Sequence, residues 1–380
     1  EPKAITTENT PTFHHFEDWG VLLYRRNWSE NSTYFSFRAG DPPGHAIWKM
    51  LLNKNPRAAK INFTHSHPDA GSFSFYPGGK DFISGALYEM PKRTALGSTY
   101  TFTPKVPFSP PVPKAMVKRF WDLDKLSQVG RLDELGQAGE WNRWYGPPKA
   151  VVKAKVHAEI VSAVESNDAL FVSGEIAEAY PRTFKSNKKN VPFGLQRLYR
   201  NMLLLPDDVL VIVDRVTTNG PLEAHCYFRS ESSPESPVLW TTAGNKATLK
   251  SSKSGGSAVD VIHPTGISMS TGLEIYSWED AKDSNKGGIK NWGEVEHSSA
   301  YVRVSNAQQS GTETYVYLLR PNGKAARVFD LNFRDPRGVS MKVEIGGRIY
   351  SAKIAMDLSQ SSRQAFLGFD GHCKLDYILK

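Results

Sequence analysis

Cysteine is nearly absent: Cys226 and Cys373 are the only two in 380 residues. Two thiols cannot complete a structural zinc site alone and allow one disulfide at most. Long apolar runs are missing too. The longest, NMLLLPDDVLVIV over 201–213, is broken by Pro206-Asp207-Asp208 and falls short of the roughly 20 residues of a spanning helix, so no membrane span is expected. There is no internal repeat, no low-complexity tract, no P-loop, no Gly-x-Ser-x-Gly elbow and no paired-carboxylate glycosidase signature. Neither paired Cys/His finger spacing nor a glycine-aromatic RNA-binding pattern occurs, which argues against nucleic acid as a partner.

Helical periodicity is equally scarce. The clearest helix is His45-Ala-Ile-Trp-Lys-Met-Leu-Leu52, with Asp41-Pro42 ahead of it. From Lys149 onward, short apolar or alternating segments follow one another between turn residues: ALFVSGEIAEAY, LQRLYRNMLLL, VLVIVDRVTT, LEAHCYFRS, ETYVYLLRP and others. Gly346-Gly347 between KVEI and RIYSAKI predicts a two-residue hairpin turn. The fold class expected is all-β, a large antiparallel multi-strand β-sandwich with few short helices. Residues 1–16 read as a linker or tail, 17–240 as the main sandwich, and 241–380 as strands that complete it or form a smaller β domain. The polar stretch 278–293 reads as a long exposed loop.

Lysine and arginine outnumber aspartate and glutamate by 47 to 39, a formal net charge of +8. A basic chain without nucleic-acid motifs suits an acidic polysaccharide. Three sequons, at Asn27, Asn31 and Asn62, fall in the first 64 residues and point to a secreted or lumenal glycoprotein. Glu1 and the following EPKAITTENTPTF have neither the basic start nor the apolar core of a leader, so a leader already removed, or a larger N-terminal part, is expected.

Chemistry concentrates in NFTHSHPDAGSFSFYPGGKDFISGALYEMPKR, residues 62–93. SFSFY (72–76), the turn Pro77-Gly78-Gly79 and a return strand Asp81–Ser84 read as a β-hairpin. His65 and His67, at i and i+2, would share one face at its mouth, where two imidazoles can hold a metal or line a polar cleft. They can equally be hydrogen-bonded surface histidines. Asp69 could orient either ring, and Tyr88 lies just past the far end. His14-His15 and His225 read as structural or surface residues.

The runs GHAIWKMLL, INFTHSHPDAGSFSFYPGGKDFISGALYEMPK, GQAGEW with Trp144, and LQRLYRNMLLLPDDVLVIVDRV together resemble the β-sheet region of the heparinase II/III-like superfamily. Within it they are most similar to dermatan sulfate epimerase and related uronate polysaccharide lyases. The resemblance is dense from about Trp19 to Val216. It implies chemistry at C5 of a uronic acid: a lyase by C5 proton abstraction and β-elimination, or a uronyl 5-epimerase. A non-catalytic carbohydrate-binding sandwich is the other alternative. His65 and Tyr88 match the catalytic histidine and tyrosine. Lys92, Arg93, Trp141 and Trp144 would line the cleft, cations meeting carboxylate or sulfate and indoles the sugar faces.

His67 matches a metal ligand, which implies a divalent metal, zinc or manganese. The family's acidic ligand, however, has no counterpart in Ser84-Gly85-Ala86, and Gly97 stands near another ligand position. Relatives also place an α/α toroid ahead of the sheet, supplying a second catalytic histidine and tyrosine. No helical region of that size exists here, so a separate or cleaved toroid is the expected partner.

Overall fold

The structure, a computed structural model, describes residues 10–57, 66–85, 92–108, 133–140, 152, 154–166, 168–220, 222–233, 236–251, 256–277, 296–307, 310–334, 338–355, 365–369 and 373–374. Its strands form antiparallel sheets. The largest has eight, in the order Leu239–Ala243, Lys246–Lys250, Ala258–His263, Gly311–Arg320, Leu210–Thr218, Leu195–Leu204, Ala169–Glu175, Glu159–Ser166. Strands from both sides of residue 240 therefore share one sheet.

Side-chain alternation explains its central strands. Met202, Leu204, Leu210 and Ile212 point into one core cluster, while Leu203, Leu205, Val211 and Val213 point into another on the opposite face. A strand buried on both faces has no polar side to show, which is why 201–213 reads as an almost continuous apolar run.

The first face is covered by two four-stranded sheets. One runs Ser268–Ser277, Glu296–Asn306, Leu222–Ser232, Tyr100–Pro104. The other is built from β1 (Phe13–Phe16), β2 (Val21–Arg25), β3 (Tyr34–Arg38) and β4 (Phe73–Tyr76). The second face packs against Val339, Met341, Val343 and Ile354, from a five-stranded sheet that begins at Ala326–Asn332. The architecture is thus three layers rather than the two of a simple sandwich. Ile345 pairs with Arg348 across Gly346 (φ +56°) and Gly347 (φ +84°), as the glycine pair predicts.

The helix α1 (His45–Leu52) has the bounds expected from its periodicity and buries Trp48. Two expectations change. Phe13–Phe16, read as tail, pairs with β2 from Phe13↔Tyr24 to Phe16↔Val21, and Phe13 packs on the core. The return limb of the hairpin is a single bridge, Phe75↔Ile83, on the edge of β4 opposite the one that pairs with β3 from Tyr34↔Tyr76 to Phe37↔Phe73. Beyond Ile83 the backbone passes to the neighbouring sheet, where Ser84 donates to the carbonyl of Arg229 at 2.9 Å. The loop expected over 278–293 lies outside the described residues. Among the described residues, no helix is long and apolar enough to cross a membrane.

Candidate functional site

The hairpin mouth is built from below. Phe73 and Phe75 point into the core, which fixes the register of β4 and hence the direction of the chain entering it. Gly71, at φ +84°, makes the turn into that strand. Gln137 holds the same turn through both ends of its amide: Oε1 accepts from Ala70 N at 3.0 Å, and Nε2 donates to Ala70 O at 2.7 Å. Ser66 donates to the carbonyl of Pro42 at 2.8 Å, so the chain reaches His67 from beside Pro42.

His65 and Tyr88, the expected catalytic pair, lie outside the described residues, as do Trp141 and Trp144. His67 is half-buried, with its Nε2 2.8 Å from Nζ of Lys92. An ammonium can only donate, so this contact makes Nε2 the acceptor and places the ring hydrogen on Nδ1. That arrangement does not suit the metal implied by the resemblance, since the lone pair it would need already faces a cation. The carboxylate of Asp69, considered as an orienting group, lies 3.1 Å from a guanidinium nitrogen of Arg38.

Lys92 and Arg93 are 0 % and 2 % exposed. Rather than lining an open wall in this chain, Arg93 reaches inward, with Nη1 and Nη2 each 3.2 Å from Oε1 of Glu274. The other carboxylate oxygen of Glu274 accepts from Arg229, whose guanidinium lies between the rings of Tyr227 and Tyr301. Two buried cations on one carboxylate brace the segment that follows the hairpin. They are structural neighbours of the site in this geometry.

Glu140 closes the base. It accepts from Thr94 N at 3.0 Å and from Gly136 N at 2.6 Å. Burial pushes its carboxyl up to about 7, against the opposing pull of those two backbone bonds. Deeper still, Arg200 and Asp214 are fully buried partners, with Nε 3.2 Å from Oδ2. Arg200 donates to the carbonyls of Gly71 and Ser98 at 3.0 and 2.7 Å, and to Sγ of Cys226 at 3.2 Å. Cys226 carries a free thiol, which burial pushes up to about 11.

A second polar cluster forms around Asp41, and no local sequence pattern announces it. Asp41, 3 % exposed, accepts from Nδ1 of His45 at 2.7 Å on one oxygen and from Nδ1 of His157 at 3.0 Å on the other. Burial alone would raise Asp41, but the bonds from His157 and His45 outweigh it and hold the carboxyl below its usual range. Hydrogen bonding to Asp41 raises both histidines in turn. His45 was legible only as the start of a helix. His157 stands in an apolar alternating stretch, with Glu159 two residues on at 4.0 Å, and only folding brings it across 116 residues to Asp41.

No family model matches the sequence. Among solved structures, the chain is similar to heparan sulfate lyase HepC from Pedobacter heparinus, with a TM-score of 0.53 and 11% identity over 94% of this chain and 44% of that one. Similarity to heparinase III is of the same order, with a TM-score of 0.53 and 12% identity over 91% and 43%. The chain has the β-sheet fold of heparinase-type polysaccharide lyases, and it spans less than half the length of these relatives.

Proposed function

We propose that this chain is the β-sheet part of a lyase acting on a uronic-acid-containing, glycosaminoglycan-like polysaccharide. The observation that carries the reading is the shared fold over 94% of the chain, in which the His-x-His-Pro-Asp run leads into a core-anchored strand. The hydrogen at C5 lies α to a carboxylate and is only weakly acidic, so a base must be held against it while the carboxylate is neutralised. His65 and Tyr88 take the acid and base roles. The base removes the C5 proton, that electron pair forms the C4–C5 double bond, the C4–O bond breaks, and the acid returns a proton to the leaving oxygen. His67 stands two residues from His65, and Lys92 fixes its tautomer.

The other half of the groove would come from an additional domain, in the same chain or as a partner. Asn27 and Asn31 are exposed between β2 and β3, which suits glycosylation in the secretory pathway. Lys92 and Arg93 face protein partners inside the chain rather than a substrate carboxylate that catalysis must neutralise, which favours a second reading without catalysis, a carbohydrate-binding sandwich that would use other surfaces.

The test is incubation with dermatan, heparan, hyaluronan and alginate, following the ultraviolet band of the unsaturated uronate product. Loss of that band in both His65→Ala and Tyr88→Phe supports the assignment. Activity that survives both changes refutes it. Deuterium entering C5 from solvent without the band points to epimerisation, and binding without either signal points to the carbohydrate-binding reading.

A further inference from the structure

Asp41 and His45 come from the connection between β3 and α1 and His157 from a distant segment, and each is held from outside the cluster. Asp41 follows β3 and is buried. His45 opens α1, where Asp18 fixes the backbone: its carbonyl accepts from His45 N at 2.7 Å and its carboxylate from Ala46 N at 2.7 Å. His157 lies just ahead of the strand Glu159–Ser166. Its N–H donates to the carbonyl of Glu178 at 3.1 Å, while Ala158 N donates to Asp41 at 3.3 Å.

The side chains of His45 and His157 remain 30% and 42% exposed, so the cluster is anchored on a buried carboxylate but open to solvent on its imidazole side. One ligand atom from each of the three lies within 4.8 Å of the other two. The donor set is two imidazole nitrogens and one carboxylate oxygen.

We infer that Asp41, His45 and His157 form a binding site for a divalent transition-metal ion of the zinc class. The chemistry of the donors decides the class. Calcium and magnesium take oxygen ligands, whereas two imidazoles with one carboxylate suit zinc and its first-row neighbours. Metal–ligand bonds of about 2.0–2.2 Å put neighbouring donors of a tetrahedral site about 3.3 Å apart. The present contacts, 2.7 Å to one oxygen of Asp41 and 3.0 Å to the other, with all three ligand atoms within 4.8 Å, leave an adjustment of about 1.5 Å at most, within reach of side-chain rotation. As the ion takes the two Nδ1 lone pairs, each ring keeps one hydrogen on Nε2 and stays neutral, and any surplus proton passes to solvent. Three protein ligands leave a coordination position open toward solvent for water or an anion.

This site stands apart from the lyase reading. It uses neither His65 nor Tyr88, and His67 is not among its ligands.

The experiment is calorimetric titration of Zn²⁺ into the chelator-stripped full chain at neutral pH, with thermal unfolding in parallel. We expect uptake of one ion per chain in the micromolar range or tighter, with a rise in melting temperature because the ion binds only the folded state. His45→Gln and His157→Gln should each weaken uptake by about tenfold or more, and His67→Gln should leave it unchanged. Co²⁺ in place of Zn²⁺ should give visible absorption bands that vanish in His157→Gln; circular dichroism establishes that each variant is folded. Absence of Zn²⁺ uptake by the wild-type chain at micromolar concentrations overturns the inference. So does uptake that persists in His157→Gln.

Discussion

Lys92 places its ammonium 2.8 Å from Nε2 of His67, joining the residue that enters the hairpin to the one that leaves it. Lys92 has no exposed surface, and its charge meets the ring from inside. The contact both closes the hairpin base and settles which ring nitrogen of His67 carries hydrogen.

Lys92→Met keeps most of the stem volume but removes the donor to Nε2 of the half-buried His67 ring. The expected loss of stability is about 1–3 kcal/mol, read by urea denaturation. A second readout is the ring-nitrogen chemical shifts of His67, which should change toward a mixture of tautomers. Unchanged shifts would show that the lysine does not set the tautomer.

Arg200 and Asp214 form a fully buried pair beneath the site. Asp214→Asn leaves the guanidinium buried without a counter-charge, at an expected cost of about 3–5 kcal/mol. Replacing both members by apolar residues of similar volume should cost less than that single change. Comparing the urea midpoints of the single and double variants tests the asymmetry.

Glu140 should impose a pH dependence of a particular sign. Its folded carboxyl sits at about 7, above its ordinary value of 4.5, so between those limits the folded state holds more proton than the unfolded one. Stability contributed by this group is full below about pH 4.5 and falls as pH rises toward 7. Glu140→Gln should flatten the melting-temperature profile over that window. A profile with the same slope in both proteins would place the titration elsewhere.

Gly71 admits no side chain. At φ +84°, a Cβ there would lie 2.3 Å from Cδ1 of Ile176 and 2.9 Å from Oγ1 of Thr99. Gly71→Ala should destabilise the chain by about 2 kcal/mol or more, through a strained backbone and forced repacking. Gly346→Ala has open space around its Cβ and shares only the positive φ, so it should cost less. Thermal melts of the two variants separate the steric part from the conformational one.

Local chemistry was readable wherever neighbours in sequence are neighbours in space. The span of α1 followed from its apolar spacing, the turn at Gly346-Gly347 from its two glycines, and the inward phenylalanines of β4 from simple alternation. The all-β class and the similarity to heparinase-type lyases were carried by the same local patterns. The composition of the hairpin mouth, with His67 and Lys92 in one segment, belongs to this group.

Tertiary structure decided the partners. Nothing local in FHHF says that it pairs with β2, and nothing in DFIS says that the return limb would keep a single bridge to β4 at Ile83 before passing to the neighbouring sheet. Arg93 read as a cation for substrate and instead found Glu274, 181 positions away. Asp41 and His157 met across 116 positions. Strand pairing and burial are settled by which apolar faces must cover one another, and those choices depend on the whole chain at once. For that reason the sequence could specify the chemistry available at the hairpin, while only the fold showed that much of its charge is turned inward and that a His-Asp-His cluster stands beside it.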